Sequence, residues 1–190
     1  MPRRRIPLQI GNFYHVYNRG NNRQAIFFEP ENCFYFLRLV KQHLIANGVD
    51  IVAYCLMPNH YHFLVYLREQ KLSDAMKSLS LSYTKAINQR FNRTRSLFQG
   101  RFHSIHVNQT EYIVMLSRYI HLNPVKAKLV KEPREWEFSS YLEYAGLRRG
   151  TLPKTEWVRM QIEGESAYQQ FLADHHLPNS IGFKRLLLDE

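Results

Sequence analysis

The stretch YCLMPNHYHFLVYL, residues 54–67, decides the fold, because it joins two strand-like runs through a tight turn. The runs 49–57 and 60–68 are rich in β-branched and aromatic residues, which favour strands. Pro58-Asn59 between them is a turn signal. The sequence therefore predicts a β-hairpin, and the rest of the chain can be placed around it.

His60 and His62 lie two residues apart in the second strand of this hairpin. Side chains alternate along a strand, so both histidines point to one face and Tyr61 points to the other. Two neutral imidazoles on one face can share a divalent metal ion, although this pattern alone is a weak signal and is more often explained by partly exposed structural histidines on a wet sheet face. A structural zinc site needs four ligands, so a site with two histidines is one in which substrate oxygens complete the shell.

The other predicted elements give the order strand, helix, strand, strand, helix, strand, helix. They are a strand at 13–20, a helix at 30–48, a helix from 73 to about 92, a strand at 101–108, and a helix from Thr110-Glu111 that Pro124 stops or bends after Asn123. The first six elements form the split βαβ pattern of a ferredoxin-like or RRM-like sandwich of the mixed α/β (α+β) class, with a central antiparallel sheet and helices on one face. In this topology the first strand and the histidine strand are central, and the opposite face is free for a ligand. We expect a main domain at 1–145 and a helical C-terminal extension at 146–190.

The charge balance indicates a polyanionic partner. Lys and Arg number 26 against 16 Asp and Glu, which gives a net charge of +10, and nucleic acid is the usual partner of so basic a domain. An anionic membrane surface would require an amphipathic basic helix or a lipidation signal, and the sequence has neither. The arginines expected to contact phosphates are Arg3, Arg4, Arg5, Arg19, Arg23, Arg90, Arg93 and Arg95.

The cysteines and the N-terminal segment indicate a reducing compartment. Cys33 and Cys55 fit no zinc or redox spacing, so we expect two buried thiols. The N-terminus is basic but lacks the apolar stretch of a signal peptide, and no apolar run reaches transmembrane length. A cytoplasmic location is therefore expected.

The segment SRYIHLNPV, residues 117–125, places a tyrosine and an asparagine on one helix face. Tyr119 and Asn123 are four residues apart, whereas His121 falls on the opposite side. A phenol is a poor nucleophile unless a cationic environment favours its anion, and an asparagine carbonyl is a suitable ligand for Mg²⁺ or Mn²⁺. Ordinary amphipathic packing, with Asn123 as a C-cap before Pro124, also explains this spacing, and the spacing alone favours that interpretation.

Four blocks of the sequence together resemble the HUH single-tyrosine transposases, and in particular the branch of REP-associated tyrosine transposases. They are NRGNNRQAIF, MPNHYHFLV, FQGRFHS and YIHLNPVKAKLV, and the resemblance runs from about residue 8 to residue 145. It implies that His60 and His62 are the metal-binding pair and that Tyr119 is the nucleophile. Asn123 stands where related insertion-sequence enzymes use glutamine as the third metal ligand. The resemblance also suggests DNA contacts by the NRGNNRQ loop and by Arg101.

The chemistry that this resemblance implies is metal-dependent nicking and rejoining of single-stranded DNA at palindromic repeats that fold into hairpins. Mg²⁺ or Mn²⁺ would bind the scissile phosphate, and attack by Tyr119 would leave a 5′-phosphotyrosine and a free 3′-OH. The enzyme would act as a monomer or a homodimer.

Three alternatives remain open from the sequence. A non-catalytic RRM-like nucleic-acid-binding protein shares the predicted topology, but QGRFHSIHV departs from the aromatic pattern of such modules. A metal-dependent hydrolase that uses a water held at the histidines would need a carboxylate base, for which the strand pair offers only Asp50 and Glu69, both at strand ends. A domesticated relative that binds DNA but cleaves poorly is the third.

Overall fold

A computed structural model describes residues 8–162 and 164–173, together with residue 184. Its strands and helices are β1 Phe13–Arg19, α1 Pro30–His43, β2 Val49–Met57, β3 His60–Leu67, α2 Leu72–Arg90, β4 His103–Val107, α3 Thr110–Lys126, α4 Tyr141–Tyr144, α5 Glu156–Arg159 and α6 Glu165–Ala173. Every strand and long helix that the sequence predicts is present, with bounds that differ by a few residues.

The four strands form one antiparallel sheet in the order β2-β3-β1-β4. This order places β1 and the histidine-bearing β3 in the centre, as the sequence predicts. The hairpin register pairs Met57 with His60, so the strands turn directly at Pro58-Asn59. The mixed α/β sandwich with a central antiparallel sheet is therefore confirmed.

The first face of the sheet is buried under α1 and α2. Tyr61, Phe63 and Val65 of β3 point into this core, as their alternation with the histidines requires. Tyr83 of α2 lies within the same core and donates a hydrogen bond of 2.7 Å from its hydroxyl to the carbonyl of Ile26. This core fixes the strands and leaves the histidines on the other side of the sheet.

The second face carries α3 and the helices that follow it, so the expectation of a completely open face is wrong. Leu116 and Ile120 of α3 are fully buried against this face, in a core that also contains Leu64 of β3. Tyr168 of α6 hydrogen-bonds His121 of α3 at 2.7 Å, which ties α6 to α3. The apolar periodicity of the sequence predicts the helix α3 itself, but the sheet face that α3 covers depends on tertiary packing.

The outer edge of β2 is closed by the chain that follows α3. The backbone N–H of Leu56 donates to the carbonyl of Phe138 at 2.9 Å, and the N–H of Tyr54 donates to the Ser140 hydroxyl at 2.8 Å. A β-bulge near Val52 shifts the register of β2 against β3. Edge strands with unpaired backbone groups invite aggregation, and this segment removes one such edge.

Three smaller features complete the description. Pro124 lies inside the last turn of α3, which continues to Lys126, so the proline does not stop the helix after Asn123. Cys33 and Cys55 are both buried free thiols. Within the part of the chain that the structure describes, no helix is long and apolar enough to cross a bilayer.

Candidate active site

The two histidines of β3 lie at the end of the sheet nearest the hairpin turn. His60 and His62 share one face, with ring centroids 5.0 Å apart and nearly perpendicular planes. His62 is fully buried, whereas His60 is partly exposed. The predicted placement on one face is therefore confirmed, and the two rings differ in burial, with His62 inside the protein and His60 at its surface.

A third histidine, His15 on β1, joins this pair, and sequence reasoning missed it. Its Nε2 lies 2.9 Å from Nδ1 of His62, and the two rings stack at 5.2 Å between centroids. The signal was available, because β1 was predicted to lie in the centre of the sheet and His15 alternates with buried Tyr14 and Val16.

The environment of the pair keeps both rings neutral. Burial, followed by the nearby positive charge of Arg19, lowers the pKa of His60 to about 4. Burial is also the main cause that holds the pKa of His62 well below its ordinary value, and His15, His60 and Lys126 add to it. Neutral imidazole is the form that binds a metal ion.

One ring nitrogen of His62 suits a metal ion. Its Nδ1 is hydrogen-bonded to His15, whereas its Nε2 is buried with no hydrogen-bond partner. Metal-binding histidines usually donate the N–H of one ring nitrogen to a neighbour and bind the ion through the other. The residues therefore fit a divalent ion, although the described residues contain no group of three or more His, Cys, Asp and Glu side chains that could hold a metal ion.

Tyr119 of α3 lies beside His62 and His15. Its ring centroid is 5.6 Å from that of His62 and 6.3 Å from that of His15, in edge-on contacts. The side chain is only 4% exposed, and the ammonium of Lys126 lies 4.7 Å from its ring centroid. The ring of Tyr119 thus lies beside His62, His15 and a lysine cation, and a cation near a phenol favours its anion.

Asn123 lies one helical turn after Tyr119 and is buried. Its amide nitrogen donates to the backbone carbonyl of Tyr119 at 2.8 Å. It is not the C-cap of the helix, since Ala127 occupies that position. The amide oxygen is the atom of this side chain that can bind a cation.

The arginines expected to contact DNA differ in their surroundings. Arg4 and Arg5 lie outside the described residues, as does Arg3. Arg90 is bound to Glu29 at 2.6 Å, and Arg93 lies over the ring of Phe28. Arg23, Arg95 and Arg101 are exposed, and Arg19 pairs with His60 in the β1–β3 register. Arg19 and Arg101 thus lie at the end of the sheet that carries the histidines.

The loop after β1 is held against the segment that leads into β4. The N–H of Asn21 donates to the carbonyl of Leu97, and the N–H of Gln99 donates to the carbonyl of Arg19, both at 2.9 Å. Gly20 is required here, because a Cβ atom at this position would lie 1.9 Å from the carbonyl oxygen of Gln24. The NRGNNRQ loop therefore has a defined shape beside the histidine pair.

Comparison with known proteins supplies the class to which this architecture belongs. The sequence profile of the family described as "Transposase IS200 like" matches residues 11–123, which is more than half of the chain. The chain therefore belongs to this family of transposases, and the family that the four sequence blocks indicate is confirmed.

Two individual proteins extend the comparison. A protein of Haemophilus influenzae described as "Putative REP-associated tyrosine transposase" is 27% identical over 117 residues, which cover 56% of this chain. The match covers 66% of the length of the Haemophilus influenzae protein. A solved structure of a REP-associated tyrosine transposase bound to a REP hairpin has a TM-score of 0.63 at 20% identity, and the match covers 81% of this chain and 97% of that one. This similarity confirms the fold.

Proposed function

We propose that this protein is a metal-dependent single-stranded DNA transposase and endonuclease, which nicks and rejoins DNA at palindromic repeats through a 5′-phosphotyrosine. The observation that carries the proposal is the contact of Tyr119 with His62, whose Nε2 is buried and without a hydrogen-bond partner. The membership of the chain in a transposase family supports the reaction class. The similarity to a structure bound to a REP hairpin supports hairpin-forming DNA as the substrate.

His60, His62 and the amide oxygen of Asn123 would hold the metal ion. When bound, Mg²⁺ or Mn²⁺ would neutralise the charge that develops on the scissile phosphate. His15 would orient His62, because its Nε2 can accept the Nδ1–H and so keep the proton away from the metal-binding nitrogen. Arg19 and Arg101, beside the pair, would bind the neighbouring phosphates.

Tyr119 would carry the covalent step. Its oxygen attacks the phosphorus, the bond from phosphorus to the 3′ oxygen breaks, and the proton that the phenol loses is balanced by the one that the leaving oxygen gains. In the second step a 3′-OH of another strand attacks the same phosphorus and releases Tyr119. No nucleotide cofactor is needed, because the phosphoester bond energy is kept in the covalent intermediate. The proposal also includes a transposase domain at 1–145, a helical extension at 146–190, and action as a monomer or a homodimer.

The test compares Tyr119→Phe with the matched control Tyr112→Phe, which changes a half-buried tyrosine elsewhere on α3. Each protein is incubated with Mn²⁺ and single-stranded DNA that carries the repeats flanking its own gene, and adducts are resolved by denaturing electrophoresis and mapped by mass spectrometry. We expect an adduct on Tyr119 in the wild type and in Tyr112→Phe, and none in Tyr119→Phe, which should still bind DNA.

Each of the other outcomes would overturn part of the proposal. An adduct that persists in Tyr119→Phe would show that another residue is the nucleophile. Turnover without any adduct would favour a hydrolase, whereas binding without cleavage in the wild type would favour the RRM-like binding protein. An adduct joined through a 3′-phosphate would keep the nucleophile but reverse the strand polarity.

A further inference from the structure

A row of aromatic rings crosses the sheet from the histidine pair to its open edge. The register sets Tyr17 of β1 directly between His62 of β3 and His103 of β4. The Tyr17 ring lies 6.1 Å from that of His62 and 5.1 Å from that of His103, and the Tyr17 and His103 planes are within 9° of parallel. The row is therefore continuous over three neighbouring strands.

The exposure of this row increases away from the histidine pair. His62 is fully buried, Tyr17 is half-buried and His103 is exposed. At the other end of the sheet face the aromatic rings are covered, since Trp157 lies against Phe13 with ring centroids 5.3 Å apart. The part of the face around Tyr17 and His103 is thus the part that a ligand can reach next to the proposed metal pair.

Cationic side chains accompany the row at the same end of the sheet. Arg19 lies two residues after Tyr17 and pairs with His60, and Arg101 lies two residues before His103. The side chain of Asn18 donates to the carbonyl of Gly100 at 3.2 Å, which holds the two segments together. Aromatic rings beside arginines are the combination that binds single-stranded nucleic acid, where the rings stack on bases and the cations pair with phosphates.

We propose that Tyr17 and His103 form a stacking shelf for a base of the single-stranded DNA that flanks the scissile phosphate, with the strand running from the histidine pair across β1 to β4. The placement of the scissile phosphate rests on the function proposed above. Stacking is tolerant of sequence, so the shelf would fix the path of the strand and leave sequence recognition to other contacts. A cross-strand aromatic pair can also simply stabilise a sheet edge, and the test must separate the two roles.

The experiment measures binding without metal and without cleavage. The probes are a fluorescein-labelled dT12 and a 12-unit abasic strand of equal charge, both in EDTA. We expect wild-type protein to prefer dT12, and His103→Ala to weaken dT12 binding by at least about fivefold while binding of the abasic strand is unchanged. His103→Phe should retain the preference for dT12, because the ring is kept without the imidazole.

Two controls complete the design. Arg101→Ala should weaken the binding of both probes to the same extent, since it removes a phosphate contact and no ring. His103→Thr keeps a residue that favours strands, so it serves as the second loss-of-ring variant if His103→Ala unfolds.

Three results would overturn the proposal. The first is an equal loss of affinity for both probes in His103→Ala or His103→Thr, and the second is no loss of affinity for either probe. The third is a wild-type protein that binds both probes with equal affinity. Failure of the proposed function would be seen separately, as a missing Tyr119 adduct, because this assay requires neither the nucleophile nor the metal.

Discussion

Replacement of His15 by Phe is the sharpest probe of the candidate metal site. Phenylalanine keeps a ring of similar size on β1 but removes Nε2, which lies 2.9 Å from Nδ1 of His62. Both side chains are fully buried, so water cannot readily replace the lost partner. A buried donor left without an acceptor costs about 1–3 kcal/mol. In the variant a proton on Nδ1 has no acceptor, just as a proton on Nε2 has none, so the preference that keeps Nε2 unprotonated for the metal is lost.

The expected result is weaker metal binding with the fold preserved. Loss of a hydrogen bond behind a metal ligand typically lowers metal affinity by about 10- to 100-fold. Titration calorimetry with Mn²⁺ in the absence of DNA measures this directly, and Tyr17→Phe is the matched control, because it changes a neighbouring ring without removing the bond to His62. His15→Gln offers an amide oxygen in place of Nε2 and should recover part of the affinity.

Activity measurements provide an independent readout of the same change. Cleavage by His15→Phe should be lost at low Mn²⁺ and recover as Mn²⁺ is raised, because the nucleophile is intact. An Mn²⁺ affinity equal to that of the wild type would refute the role given to His15. A wild type that binds no Mn²⁺ would refute the metal site itself.

Two further predictions concern stability and reactivity. Burial lowers the pKa of His121 to about 3, so between pH 6.5 and 3 the unfolded chain takes up a proton that the folded chain does not, and folding stability should fall as the pH falls. In His121→Gln the free energy of unfolding should therefore fall less steeply with falling pH, by up to about 1.4 kcal/mol per pH unit. A pH dependence equal to that of the wild type would contradict this prediction. Burial raises the pKa of Cys33 to about 12 and that of Cys55 further, so iodoacetamide at pH 8 should label neither thiol until the protein unfolds, as judged by intact mass.

The features that the sequence predicts correctly depend on local chemistry. The hairpin follows from two β-rich runs around Pro58-Asn59, and the same-face placement of His60 and His62 follows from the two-residue period of a strand. The helix α1 begins at Pro30, as its N-terminal signal indicates. In each case the deciding residues lie within a few positions of one another.

The features that the sequence misses depend on register and on packing between distant segments. The contact of His15 with His62 joins residues 47 positions apart and exists only in one pairing of β1 with β3. The helix α3 covers the second sheet face and is itself held by Tyr168, which hydrogen-bonds both His121 and Ser117 from beyond the part of the chain with clear sequence signals. Periodicity identifies an amphipathic helix, but it does not determine which of two apolar surfaces the helix will cover.

The position of Asp50 bears on whether a tyrosine or a water molecule is the nucleophile at this site. A hydrolase would need a carboxylate near His60 and His62 to activate water. Asp50 lies at the opposite end of β2, where it pairs with Tyr66 of β3, and both of its oxygens accept the Nε–H of Arg68 at 3.0 Å. The phenol of Tyr119, which contacts His62, needs no such carboxylate, because the nearby cation of Lys126 can favour its anion. The arrangement therefore supports the proposal that Tyr119, and not a metal-activated water, is the nucleophile.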